Sequence, residues 1–390
     1  MPVRPGIEML LSEQRDLVKA ARVGVVVHPA SVLSDLRHTA DVLAECRDFK
    51  LVSLLGPQHG ARGEKQDNMI ESEFYRDPDI GLPVHSLYGD TRCPTKEMLG
   101  DIDVLLYDLQ DAGTRVYTFI HTMAYCMEAC ARYGKRMIVL DRPNPVNGRA
   151  VEGNILDPDF RSFVGLYPIP MRHGMTTGEL ALLFNSEFGI HCDLAIVEMD
   201  GWHRDYWFEQ TGLPWVQPSP NLPTIDSAIV YPGTVLVEGT CLSEGRGTTR
   251  PFELVGAPFI QSRTYAAYLN ALHLPGVWFR PAYFQPTFQK WAGVMCGGVQ
   301  IHVLDRENFE PCLTGIAVIS AARALYPESF KWRNPPYEYE YEKLPIEILC
   351  GGKTIPDLID RGAPPNEIRQ SWQNDVTAFQ RQRAPYLLYK

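Results

Sequence analysis

Gln58, His59 and Arg62 stand together in the run Gly56-Pro57-Gln58-His59-Gly60-Ala61-Arg62, where glycine permits a tight backbone and proline stiffens it. Such a turn displays an amide, an imidazole and a guanidinium at its tip, groups that can bind a polar ligand or move a proton. His59 could equally cap a helix or bond a carbonyl. A second cluster holds Asp108, Gln110, Asp111 and Arg115, with Tyr117 and Thr118 just beyond. So many polar groups are costly to bury unless they pair with one another or meet a ligand. Asp111 and Arg115 could form an ion pair at a helix start, which leaves Asp108 the stronger candidate for chemistry. The third cluster, Asp141-Arg142-Pro143-Asn144-Pro145, is framed by prolines that either make a plain turn or point Asp141, Arg142 and Asn144 inward. Glu152 follows closely and supplies a further carboxylate.

Later in the chain, Ser243-Glu244-Gly245-Arg246-Gly247-Thr248-Thr249 is glycine-rich, and its amides and hydroxyls could cradle an anion or sugar hydroxyls. It lacks the lysine and spacing of a P-loop. No Gly-x-Gly-x-x-Gly follows the first apolar run, which argues against a dinucleotide. The ten histidines never fall into a metal-ligand spacing. Neither a dinucleotide nor a metal is therefore expected.

The elements that must position these clusters follow from apolar periodicity. Short apolar runs at 22–27, 50–55, 83–88, 104–108 and 136–140 alternate with helical stretches at 38–47, 95–99 and 117–133, the pattern of a parallel sheet wrapped by helices. The three clusters each follow a strand. Ligand crevices of open parallel sheets lie outside the carboxyl ends of the strands, so the three loops are expected to share one site. After Gly153 the texture changes to helices such as 177–188, an aromatic cluster at 202–207 and proline-rich connections. The expectation is a first domain over 1–150 and a second over 151–390, with Asn221, 238–250 and 284–298 as loops of the second facing the first. The segment with Pro335-Pro336 and 337–341 reads as a wrapping piece of the second domain.

Composition narrows the function classes. Hydrophobic content of 45% with 22% charged residues is ordinary for a globular protein. A net charge of −10 without a basic run excludes a sequence-independent grip on nucleic acid and suits a small or sugar-like ligand. The amino terminus lacks the apolar core of a signal peptide, and no stretch approaches the length of a membrane span. Nine scattered cysteines suit a reducing compartment. Cys126 and Cys130 share a helix face as small core residues. Together these features point to a cytoplasmic protein without membrane or nucleic-acid partners.

The motifs, taken in order, resemble a known family. They are Gly56-Pro57-Gln58-His59-Gly60 with Arg62-Gly63, the run from Asp108 to Thr118, Leu140-Asp141-Arg142-Pro143-Asn144-Pro145, the run 167–176 containing His173, Glu238-Gly239-Thr240, the glycine-rich loop 243–249, Pro286-Thr287-Phe288 and Cys296-Gly297-Gly298-Val299-Gln300. They are similar to the exo-β-N-acetylmuramidases of the NamZ type. The resemblance implies an α/β fold with a Rossmann-like parallel-sheet domain, a smaller α+β carboxyl-terminal domain and an active site in the cleft between them. It implies hydrolysis of a non-reducing terminal β-N-acetylmuramic acid from peptidoglycan fragments, with no cofactor. His59, Arg62, Arg115, Arg142 and His173 would surround the sugar, the cations suiting its lactyl carboxylate. Gln110, Asp111, Tyr117, Asp141, Asn144, Asn221 and Arg246 complete the expected binding set.

One position departs from that family. Where its members carry Gly-Pro-Glu-His-Gly, with the glutamate as the favoured catalytic residue, this chain has Gln58. An amide is neither a carboxylate nucleophile nor a titrating acid. Three readings follow. Gln58 could orient a water or the acetamido group while Glu64, Asp108, Glu152 or Glu244 is the acid; the N-acetyl group could itself be the nucleophile; or the chain could bind sugar without hydrolysing it. A fourth, an enzyme acting on a nucleotide sugar or phosphorylated sugar, rests on the loop 245–249 alone.

Overall fold

The computed structural model describes residues 2–63, 74–89 and 91–390. Among them, seven strands form one sheet in the order β3-β4-β2-β1-β5-β6-β9. In chain order these are β1 (Arg22–Val26), β2 (Lys50–Gly56), β3 (Tyr75–Arg76), β4 (Pro83–Ser86), β5 (Val104–Tyr107) and β6 (Arg136–Leu140). After a two-stranded antiparallel ribbon of β7 (Glu152–Ile155) and β8 (Pro170–Arg172), β9 (Asp193–Val197) closes the far edge. Every neighbouring pair is parallel except β3 with β4. Because β9 belongs to this sheet, the chain run that builds it continues past residue 150, where the sequence places a boundary.

The alternation of side chains explains the apolar runs. Leu105 and Tyr107 of β5 and Met137 and Val139 of β6 face one hydrophobic cluster, while Leu106, Ile138 and Leu140 face another. Both faces are buried, so the strands read as continuous hydrophobic stretches. Helices α1 (Gly6–Glu13) and α2 (Thr39–Glu45) cover one face. The other is covered by α3 (Phe119–Tyr133), which holds the buried Cys126 and Cys130, and by α4 (Thr177–Glu187). A capping box of Thr176 and Glu179 starts α4, and Gly134 with φ 64° ends α3. The helix expected at 95–99 is a pair of turns instead, closed by Leu99 N–H to Thr95 O and Gly100 N–H to Glu97 O, too short to propagate.

The carboxyl-terminal part packs α5 (Ile225–Thr234), α6 (Ser262–Asn270) and α7 (Pro311–Leu325) with an antiparallel sheet of β10 (Leu254–Ala257), β12 (Cys296–Val303) and β11 (Val277–Phe284), in that order. This gives the expected α/β architecture with an added α+β part. One hydrophobic cluster runs from Tyr107 and Phe119 into Val255, Phe279, Val299 and Ile316, so the two parts share a core. No helix among the described residues is long and apolar enough to cross a membrane.

Candidate active site

The chain leaves β2 through a turn closed by Gly60 N–H to Pro57 O at 2.9 Å, with His59 in the left-handed region at φ 73°. A non-glycine residue there is held by its surroundings rather than by preference. The turn sets Gln58 and His59 into the wall of a cavity. The loop after β5 adds Tyr117 and Thr118. A loop just before the carboxyl-terminal part adds Ser219, and that part itself adds Tyr231, Glu238, Arg246, Tyr337 and Glu338.

Hydrogen bonds order this wall. Thr118 Oγ1 donates to Gln58 Oε1 at 2.8 Å, and Gln58 Nε2 donates to Tyr88 Oη at 3.2 Å. Tyr88 Oη donates in turn to Glu338 Oε2 at 2.9 Å. His59 Nε2 lies 3.4 Å from Ser219 Oγ, and Tyr117 Oη donates to Pro218 O at 2.6 Å. Glu238 takes Arg246 Nη2 on one oxygen at 2.6 Å and Tyr337 Oη on the other at 2.8 Å. Arg246 also lies 3.4 Å from Glu244 and stands over the Phe252 ring. Burial pushes the Glu338 carboxyl up to about 7, and nearby Glu238 adds to the effect, against the Tyr88 hydrogen bond and the cations Arg246 and Arg92.

Of the residues expected from sequence, Gln58, His59, Tyr117 and Arg246 line this cavity. None of the other described ones lines it. Asp108 and Arg142 form a buried ion pair at 2.6 and 2.8 Å, and Thr39 Oγ1 donates to the same carboxylate at 2.6 Å. This pair fills the point where the sheet order reverses between β1 and β5, the usual ligand crevice of such sheets. Gln110 donates to Pro143 O, Asn144 to Met175 O, and Asp111 accepts from Gly113 N–H with His173 Nε2 3.4 Å away. Asp141 accepts from Thr176, Gly178 and Tyr389, yet burial raises its carboxyl to about 7. The loop after β6 therefore braces the site instead of walling it.

Arg115 is buried against four backbone carbonyls, those of Asn154, Ile169, Leu349 and Cys350. Arg62 pairs with Asp41 and Asp77, both at 2.8 Å. Glu152 accepts from Leu313 N–H at the start of α7, away from the cavity, and burial lifts its carboxyl to about 7. Glu244 is buried beside Lys290 at 2.8 Å; burial opposes its charge, but Lys290 and Arg246 together hold its carboxyl below the ordinary range. Asn221 is buried one residue before Leu222, which lines the cavity. Glu64 lies outside the described residues. The glycine-rich loop folds on itself and on 286–288 through Thr248 Oγ1 to Gly245 O and Thr287 N–H to Gly247 O, so its backbone is engaged by protein.

Family models decide the relationship. The amino-terminal domain of exo-beta-N-acetylmuramidase NamZ matches residues 23–226, and its carboxyl-terminal domain matches residues 229–389. The chain belongs to the NamZ family. A relative in Bacillus subtilis (strain 168), a peptidoglycan beta-N-acetylmuramidase NamZ, is 49% identical over 387 residues, covering 99% of this chain and 91% of that protein. Crystal structures of two DUF1343 family proteins of Bacteroides fragilis NCTC 9343 share the fold. One has a TM-score of 0.91 at 38% identity and the other 0.79 at 30%, each comparison covering 100% of this chain and 99% of the other. The two NamZ models meet between residues 226 and 229, so the family's own division falls between the loop carrying Ser219 and Asn221 and the segment carrying Glu238.

Sequence reasoning missed Glu338, Ser219 and Tyr231 as wall residues and Tyr88 as the hydrogen-bonded link between Gln58 and Glu338, and treated Glu238 only as part of a motif. For Glu338 a signal existed: the alternation Tyr337-Glu338-Tyr339-Glu340-Tyr341 is unusual for a surface wrap. Instead of wrapping, this segment buries Tyr337 and Glu338 in the NamZ cavity.

Proposed function

We propose that this protein is a glycoside hydrolase that removes a non-reducing terminal β-N-acetylmuramic acid from peptidoglycan fragments, and that the cavity around Gln58 and His59 receives that sugar. One observation carries the placement. Within a NamZ-family chain, a single cavity gathers two glutamates, Glu238 and Glu338, opposite the Gln58-His59 turn. Glycosidic bond cleavage needs a carboxyl to protonate the leaving oxygen and a negative group to stabilise the developing cation. Tyr117, Tyr231 and Tyr337 offer ring faces and edges suited to the apolar side of a pyranose. His59 and Arg246, both in the lining, are the side chains we assign to the lactyl carboxylate. All nine cysteines are free, as suits the reducing compartment we assign to it.

The test is release of a chromogenic aglycone from a β-N-acetylmuramic acid glycoside, with the matching N-acetylglucosamine glycoside as control. Turnover of the first in clear preference to the second is expected. Tight binding of N-acetylmuramic acid with no release from either glycoside would overturn the hydrolase reading.

A further inference from the structure

We propose that Glu338 is the proton donor to the departing oxygen, and that Gln58 is a positioning residue that acts on it through Tyr88. The inference rests on the hydrolase reading above and names the acid that the amide at position 58 cannot supply.

The hydrogen-bond chain has a direction. Thr118 donates to the Gln58 carbonyl oxygen, the Gln58 amide donates to Tyr88, and Tyr88 donates to Glu338. A tyrosine hydroxyl has one hydrogen. Since Tyr88 gives it to Glu338, a partner at position 58 that approaches Tyr88 must donate. Gln58 can do so; an ionised glutamate in its place could only accept. The amide therefore fits a cavity in which the working carboxyl has moved to position 338.

Other carboxylates in and around the cavity are differently committed. Glu238 has Arg246 on one oxygen and Tyr337 on the other, and Glu244 has Lys290 and Arg246 beside it. Glu338 instead accepts from a neutral hydroxyl. It is 4% exposed, and its backbone sits at φ 45° with Tyr339 at φ 66°, two successive non-glycine residues in the left-handed region. That conformation is held by the paired hydrogen bonds between Tyr337 and Glu340, both 2.9 Å, and by the Arg92 guanidinium 4.1 Å from the centre of the Tyr339 ring. Strain kept at a cavity wall is a mark of function when the surroundings over-determine it.

Among the described residues, the ionisable groups facing Glu338 are Tyr88 and Arg92 from the loop after β4, and Glu238, Arg246 and Tyr231 from the carboxyl-terminal part, with Tyr337 beside it. His59 shares the cavity from the loop after β2. The elevation of the Glu338 carboxyl to about 7 keeps a proton available near neutrality. In the step itself, the bond between the anomeric carbon and the leaving oxygen breaks and its electron pair stays on that oxygen, which takes the Glu338 proton. Water supplies the new oxygen at the anomeric carbon, and the proton it releases restores the carboxyl.

The experiment compares the wild type and Glu338→Gln on N-acetylmuramic acid glycosides with a poor sugar leaving group and with a dinitrophenyl leaving group that departs without protonation. The variant is expected to lose about 100-fold or more in kcat/KM on the first and less than about tenfold on the second. The wild-type profile should fall on the alkaline side near pH 7, and this limb should vanish in Glu338→Gln. Equal losses on both substrates, or a limb that persists, would overturn the assignment while leaving the hydrolase reading intact. Wild type that turns over neither substrate would remove both. Tyr88→Phe, which keeps the ring and deletes the donor, guards against misfolding of Glu338→Gln. Loss of the donor should move the wild-type limb to higher pH, and an unmoved limb counts against the relay.

Discussion

Arg142 closes on Asp108 through two hydrogen bonds, 2.6 and 2.8 Å long, at the point where the sheet changes direction. Both side chains are buried, and Arg142 also holds Val32 O while Thr39 holds Asp108. Breaking such a pair leaves one charge stranded in the interior. Asp108→Asn is therefore expected to cost about 3–5 kcal/mol in denaturant unfolding, while the folded fraction keeps its KM. A variant of normal stability with lost turnover would return Asp108 to the list of catalytic groups.

Glu152 gives a pH test in the opposite sense from most acid pairs. Its folded carboxyl lies at about 7, above the ordinary value of 4.5, because burial disfavours the charge. The folded state thus holds the proton more tightly, so this contribution is full below about pH 4.5 and is lost as pH rises through about 7. Relative to Glu152→Gln, which does not titrate, the wild type should lose roughly 2–3 kcal/mol between about pH 5 and pH 8. Parallel stability curves for the two proteins would refute the buried-carboxyl account.

Gln58→Glu would place a carboxylate beside Tyr88 and compete for its hydrogen. A second negative charge close to Glu338 disfavours ionisation there. The alkaline limb of kcat/KM is expected to move upward from about 7, a shift read directly from a pH profile. An unshifted limb would separate Gln58 from Glu338.

Gly247 tests whether the glycine-rich loop is a ligand cradle or a packing device. It sits at φ 78°, and a Cβ there would come within 2.7 Å of the Phe288 backbone nitrogen and oxygen. Gly247→Ala should cost about 1–3 kcal/mol from strain and overpacking, seen as a lower melting temperature. A stable variant with weakened phosphate-sugar binding would favour the cradle.

The parallel sheet was legible because β5 and β6 are apolar on both faces, and a buried strand between helices leaves few other readings. The loops after strands were legible for the same reason. What the sequence could not say is which polar residues look into the cavity. Arg115 resembles a ligand-binding cation until its carbonyl partners are seen, two of which come from Leu349 and Cys350, far along the chain. Glu338 posed the converse problem: its partner Tyr88 is 250 residues away in sequence, and no local pattern reports such a contact. Gln58 stood out from sequence alone, but its meaning depends on both.

The hydrophobic cluster that joins the sheet to the carboxyl-terminal part bears on how a sugar gets in. Domains that open on a hinge meet across modest polar surfaces, whereas a shared apolar core resists separation. Tyr107 and Phe119 lie in the same cluster as Val255 and Ile316, so wholesale parting of the two halves would expose that core to water. Access is then a matter of surface loops yielding around a fixed frame. An enzyme so made would grip a chain end that can be threaded into a pocket, and would have little means of straddling the middle of a polymer.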